Sequence, residues 1–418
     1  MQVLLAIEFY EKIGEMFVHI ASITVMGGIV GTLIGIGICQ NPFVSRIAVP
    51  LLRTILWFPF FVACALPEWP IRGLSLILAL GILSVALFSC YGLLDVRSVL
   101  RLQWLDAMVV VGRGTILHAF FYSLYSQIHQ ESGWVAEFGE NSFGGFAILL
   151  VLCLFLFFVD RFFRTNFADV AERDCKVLIR VVRNQERTYS ILAICFGCVC
   201  LSAWYIFHDS VTRYLLLGTP IDVLKAGYAM FISDPSGSSI LRGGRTWQIN
   251  DLVVSLGEVI IGLTISGGFA LSVVYCMRLR VRLCVQILRF LSMTFATPLI
   301  LVLVVSGWIG RTAESWLTVL GIALLSFYPF VKVMWGYRGQ PGVFSVLLGT
   351  IEALPFAFAG MIFGELWAAS AGLAFFAVLA RAELRINEAM AVTLLTFLLY
   401  LLLSSSLKLV ANKLSKRE

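Results

Sequence analysis

The chain is a succession of long apolar stretches separated by short polar ones, and the stretches have the length of membrane-crossing helices. A lipid-spanning helix needs about 20 predominantly apolar residues. Runs of this kind cover 17–39, 46–66, 73–94, 115–136, 146–163, 190–208, 252–277, 283–308, 315–335, 350–372 and 390–408, eleven in all, several interrupted by Gly or Pro. Helix is predicted for each, because lipid offers unpaired backbone groups no partner. A barrel would instead show weakly alternating segments of about ten residues, not a continuous run such as AILLVLCLFLFFV at 147–159. Residues 1–16 do not read as a cleaved signal, since Glu8, Glu11 and Glu15 outweigh the lone Lys12 where a basic start is expected.

Composition agrees with the pattern and narrows the chemistry. Of 418 residues, 60% are apolar and 13% charged, with a mean hydropathy of +0.92. A soluble domain carries about a quarter charged residues, so a soluble enzyme, a disordered chain and a nucleic-acid binder are excluded. The ten cysteines are scattered, and the one cluster, Cys195, Cys198 and Cys200, sits mid-stretch with no His or carboxylate beside it. These read as small apolar residues, not as a metal site. His19, His118, His129 and His208 show no ligand spacing, and no GxxxxGK[ST] loop is present. No catalytic constellation, cofactor or metal site is expected, so the chain does not read as an enzyme.

The placement of charge predicts an orientation, because Lys and Arg concentrate on the cytoplasmic side. With the C-terminus inside, twenty cations fall on inner segments, including Arg97, Arg101 and Arg113, seven between Arg161 and Arg187, and Lys332 and Arg338. Nine fall outside, and Arg53 and Arg289 lie within stretches. The N-terminus is therefore expected outside, which an odd number of spans requires.

Three segment pairs recur in order. ASITVMGGIVGTLIGIGI (21–38) is similar to VSLGEVIIGLTISGGFAL (254–271). PLLRTILWFPFFVACAL (50–66) is similar to VQILRFLSMTFATPLIL (285–301), each with one Arg, Arg53 or Arg289, separated by 236 residues. GWVAEFGENSFGGF (133–146) is similar to FGELWAASAGLAFF (363–376), which pairs Glu137 with Glu365. Two tandem halves running in the same direction are expected, a parallel repeat. They divide as 1–163 and 190–418, joined by a basic cytoplasmic stretch, 164–189, that reads either as a solvated linker or as a dock for a cytoplasmic partner.

On these motifs the chain resembles the permease subunit of binding-protein-dependent ABC importers, in particular the nitrate/taurine/alkanesulfonate/bicarbonate group. The loop YGLLDVRSVLRLQWLDAMVVVGRG (91–114) resembles the family's Glu-Ala-Ala loop through Asp106, Ala107 and Gly112, followed by Arg113. Residues 217–231 resemble its outer segment, and 352–376 its Leu-Pro helix and Glu segment through Leu354, Pro355, Gly360, Glu365 and Gly372. The second half departs from the pattern: it passes from WGYRGQPG (335–342) almost directly to the Leu-Pro helix, without a Glu-Ala-Ala helix. The resemblance implies an all-α polytopic protein, a tandem repeat of the type I (MetI-like) permease fold with two halves fused in one chain. It also implies a cytoplasmic ABC ATPase dimer and an external solute-binding protein as partners, in a bacterial inner membrane.

That resemblance places ATPase coupling at Asp106, Ala107, Gly112 and Arg113, with Tyr337 and Arg338 as the remnant in the second half. Candidates for the translocation pathway are Trp134, Glu137, Glu365, Trp367, Arg53, Arg289, Pro298 and Pro355. Glu137 and Glu365 read equally as pathway lining or as helix-end packing; Glu258, early in its stretch, reads as facing a neighbouring helix. Arg53 and Arg289 read as snorkelling to cytoplasmic headgroups, or else as pairing with a carboxylate or contacting an anionic solute. The glycines of 27–35 and 262–268 read as sites of close helix approach. Two further classes of function stay open: a degenerate permease kept as a non-transporting scaffold, and a proton-coupled carrier using Glu137 and Glu365.

Overall fold

The computed structural model describes residues 2–41, 70–71, 74–100, 218–232, 247–278, 314–337, 342–368 and 371–415, with scattered positions in 44–59, at 115, in 171–182 and in 198–206. The chain forms two compact units. One comprises Met1–Ala63, Glu68–Phe138 and Leu154–Thr165; the other comprises Cys64–Pro67, Gly139–Cys153 and Asn166–Glu418.

In the first unit, helix α1 runs Gln2–Gln40 and helix α2 runs Leu76–Leu100. Strands β1 (Pro70–Ile71) and β2 (Leu74–Ser75) form a minimal antiparallel ladder just before α2, pairing Pro70 with Ser75 and Ile71 with Leu74. Ile23, Gly27, Gly31 and Gly35 recur every four residues, so they share one face of α1, and that face is buried. Val25, Met26, Ile29, Leu33 and Ile34 on the other faces are exposed, as a lipid-facing surface requires. The glycines let the α2 backbone come close. A Cβ on Gly27 would lie 2.7 Å from the Ile82 carbonyl and 2.9 Å from the Val85 Cβ, and one on Gly31 would fall on the Ala86 backbone.

In the second unit, α3 is Pro220–Ile232, α4 Trp247–Arg278, α5 Glu314–Gly336, α6 Val343–Ala368, α7 Leu373–Ala382 and α8 Ile386–Ser415. Helix α3 opens on a capping box: Thr219 N–H and O–H donate to Asp222 Oδ2 at 2.8 and 2.7 Å, and Asp222 N–H donates to Thr219 Oγ1 at 3.2 Å. Pro220 follows at the first helical position, where its missing N–H costs nothing. Helices α4 and α5 run parallel, as successive contacts of Gly262 with Ile322, Gly267 with Phe330 and Arg278 with Tyr337 show. Helix α6 runs antiparallel to α5: Gly349 meets Phe330, Gly360 meets Ile322 and Gly364 meets Thr318. A core of Phe330, Val331, Met334 and Ala353 with Ala270, Val274 and Met277 joins α4, α5 and α6.

The helix pairs α1/α2 and α4/α5 are alike in their packing. Each pair is parallel, and thirty-five residues separate its members, 41–75 in one and 279–313 in the other. Gly27 abuts the carbonyl of Ile82 and the branched Cβ of Val85; Gly262 abuts the carbonyl of Val319 and the branched Cβ of Ile322. The buried positions 23, 27, 31 and 35 fall 235 residues before the buried 258, 262, 266 and 270. The ungapped sequence pairing of 21–38 with 254–271 implies 233 instead, and it would set buried Gly27 against exposed Ile260. Helical periodicity makes that two-residue shift decisive, since it turns a face through about 200°.

Among the described residues, five helices are long and apolar enough to cross a membrane: Ala21–Gln40, Asp251–Arg278, Trp316–Gly336, Val343–Ile362 and Ile386–Ser415. Leu80–Leu94 is a shorter apolar helix. The expected stretches 46–66, 115–136, 146–163, 190–208 and 283–308 lie outside the described residues apart from isolated positions. The stretch expected over 350–372 is displaced: α6 begins at Val343, and Gly372, at φ 122°, turns the chain before α7. Lys332, read from sequence as a cytoplasmic cation, is buried within α5 and pairs with Glu352 at 3.3 Å. Ala171, Cys175, Leu178 and Val182, inside the basic stretch read as a linker or a dock, are buried at helical spacing. The last three pack with Val333, Phe344, Leu348, Ile351 and Ala411.

Candidate functional site

A polar constellation is buried where the N-terminal half of α4, the C-terminal end of α6 and the start of α7 meet. Asp251, Ser255 and Glu258 stand at i, i+4 and i+7 on α4, which places them on one face. All three are buried, and so is Glu365 of α6.

The first turn of a helix exposes N–H groups with no intrahelical partner, and α7 has no side-chain cap of its own at Gly372. Its neighbours supply the acceptors. Gly372 N–H donates to Asp251 Oδ1 at 2.8 Å, and Leu373 N–H to Ser255 Oγ at 2.9 Å. Ala374 and Phe375 N–H donate to Glu365 Oε2 at 2.7 and 3.4 Å. The Ser255 hydroxyl donates in turn to Glu365 Oε1. The Glu365 carboxylate thus sits on the positive end of the α7 dipole, as an anion bound at a helix N-terminus would. Gly372 serves twice: its positive φ suits only glycine, and a Cβ there would overlap the Glu365 carboxylate.

One turn further along α4, Glu258 is in a different state. It is 6% exposed, and neither carboxylate oxygen has a hydrogen-bond partner. The hydroxyls of Thr318 and Ser326 on α5 and of Ser266 on α4 are likewise buried and unpartnered. Thr318 lies against the backbone of α6, where a Cβ on Gly364 would come within 2.8 Å of its own Cβ. Buried polar groups of this kind are rare in finished cores.

The opposite end of the helices is pinned differently. Arg278 Nη2 donates to the Tyr337 carbonyl at 3.0 Å, and the Tyr337 ring meets Phe344 edge-on at 5.7 Å. Ser345 caps α6 by exchanging hydrogen bonds with Gly342, at 3.1 and 2.9 Å. A Cβ on Gly336 would collide with the backbone at Ala171, and Cys175, Leu178 and Val182 pack with Val333, Phe344 and Leu348, so these four residues are seated against the α5–α6 junction.

Of the residues expected from sequence, Glu365 and Tyr337 thus fall at opposite ends of α6. Pro355 lies inside that helix, and Trp367 is in its last turn. Arg53, Asp106, Ala107, Gly112, Arg113, Trp134, Glu137, Arg289, Pro298 and Arg338 lie outside the described residues. Asp251, Ser255 and Thr318 escaped sequence reasoning, although the Asp-x3-Ser-x2-Glu spacing within an apolar helix was a usable signal. Comparison of the chain with models of protein families, with curated proteins and with solved structures finds no match.

Proposed function

We propose that the chain is the membrane permease of a binding-protein-dependent ABC importer, with two pseudo-symmetric halves fused and the solute path between them. The observation that carries this reading is the repeated parallel helix pair, in which Gly27 and Gly262 make the same contact 235 residues apart. The connectors of 35 residues support it, since parallel neighbours oblige the chain to travel back once in each half. A tandem parallel repeat of the type I permease fold with about eleven spans accommodates both pairs. In this reading the N-terminus is outside, the C-terminus is cytoplasmic, and the membrane is a bacterial inner membrane. ATP hydrolysis belongs to a separate cytoplasmic dimer, and an external binding protein delivers a small solute.

The loop around Asp106, Ala107, Gly112 and Arg113 is the principal contact with the ATPase. An alternating-access cycle needs the ATP-bound dimer to favour one conformation of the permease, and a short helix ending in a glycine turn can transmit that preference. In the second half, Tyr337 and Arg338 take the equivalent place. The test is deletion of 103–113, which should abolish co-purification of the ATPase; unchanged co-purification would overturn the coupling assignment. The buried ionisable groups where α4, α6 and α7 meet, Asp251, Glu258 and Glu365, are acidic, and so lend an anionic solute no support there.

One observation favours a second reading, a non-transporting scaffold. Only residues 337–342 lie between α5 and α6, too few for a second coupling helix. A permease that stimulates its ATPase when the binding protein carries solute is a transporter; absence of stimulation with every candidate solute favours the scaffold.

A further inference from the structure

Glu258 stands apart from the cap that holds Glu365. Its carboxylate is buried on a helix long and apolar enough to cross a membrane, and neither oxygen meets a donor. It stands one turn along α4 from Ser255, which bonds Glu365. Glu365 has already taken the Ser255 hydroxyl and the α7 amides. An isolated carboxylate in such a medium costs many kcal/mol unless a positive charge or a proton accompanies it. Intramembrane carboxylates accordingly mark ion and proton paths.

Among the described residues of α4, α5, α6 and α7, no such charge lies nearby. On α4 the lone cation is Arg278, twenty residues from Glu258 and so about 30 Å along the axis. On α5, Lys332 is about 21 Å from the level of Thr318 and is paired with Glu352. Helix α6 carries no Lys, Arg or His, and Arg381 of α7 lies about 12 Å along its axis from Leu373. The other ionisable groups of these elements near this level, Asp251 on α4, Glu314 on α5 and Glu365 on α6, are acidic. The Thr318 hydroxyl of α5 is an unpartnered oxygen, whereas that of Ser266 lies about 12 Å further along α4.

We propose that Glu258 is the binding point of a monovalent cation, a proton or an alkali ion, held within the α4–α5–α6 core. The shared chemistry is one positive charge neutralising one carboxylate; hydroxyl oxygens can complete the shell of an alkali ion, whereas a proton needs none. The site stands on its own geometry and does not depend on the permease reading.

The test is thermal unfolding of the full chain in detergent. One arm exchanges choline for sodium or potassium at constant ionic strength; the other varies pH from 8 to 5 in choline. A melting temperature that rises with the alkali ion identifies an ion site, and one that rises as pH falls identifies a proton site. Either dependence should vanish in Glu258→Gln, while Glu258→Asp keeps it with a midpoint displaced about tenfold in concentration. Should Glu258→Gln fail to fold, the wild-type titrations and the displaced midpoint of Glu258→Asp remain decisive. A wild-type protein indifferent to both arms, or a Glu258→Gln protein that keeps the full dependence, overturns the proposal.

Discussion

Glu365 illustrates how one buried side chain can fix a local fold. Its carboxylate accepts from a serine hydroxyl and from two amides of α7, and charge-assisted bonds of this kind are worth about 1.5–3 kcal/mol each. Glu365→Ala removes the acceptor and leaves these donors buried, so a loss of about 3 kcal/mol or more is expected, read as a lower melting temperature in detergent. Ser255→Ala should cost less, about 1–2 kcal/mol, because Glu365 keeps its amide partners. The glycines give a contrast inside one helix. Gly31→Ala places a methyl on the Ala86 backbone and should destabilise by about 1–3 kcal/mol. Gly37→Ala meets open space and should be neutral or stabilising by up to about 1 kcal/mol. Glu365 was legible in sequence as a carboxylate near the end of an apolar stretch. Its Ser255 partner was not, because the two are 110 residues apart, and no spacing rule reaches that far.

At the scale of elements, and among the described residues, the apolar pattern found the long helices but not their ends. The stretch 350–372 absorbed the start of α7 because AASAGLAFF is apolar throughout, and only the positive φ of Gly372 marks the reversal. Residues 171–182 were obscured in the opposite way. Their charge density hid a four-residue apolar stripe, Ala171, Cys175, Leu178 and Val182, which is buried. The stripe makes a sharp prediction. Leu178→Asp sets a charge among Val333, Leu348 and Ile351 and should lower the melting temperature strongly, by the equivalent of about 3 kcal/mol or more. Lys176→Ala removes only a 2.7 Å surface pair with Glu172, four residues away, and should change stability by less than about 0.5 kcal/mol. Equal losses for the two variants would mean that the segment is not seated as described.

For the whole molecule, the sequence disclosed the solvent before anything else: a chain with 13% charged residues and mean hydropathy +0.92 must live in lipid. It also suggested a tandem repeat, and the buried faces of α1 and α4 correspond at 235 residues, two away from the ungapped pairing. Only the buried faces reveal the register, because similarity among apolar helices is dominated by composition and not by phase. The proposed orientation is testable on a cysteine-free background. Thr219→Cys, before α3, should react with an impermeant maleimide from outside intact cells, and Lys413→Cys, near the end of α8, only after permeabilisation; reversed labelling would invert the assignment. The most direct test of the permease reading is isolation of the full chain from its native membrane in mild detergent, with ATP hydrolysis measured on the isolate. The account predicts a stoichiometric ATP-hydrolysing partner that is lost when residues 103–113 are deleted. Isolation of the intact chain with no nucleotide-hydrolysing partner would contradict it.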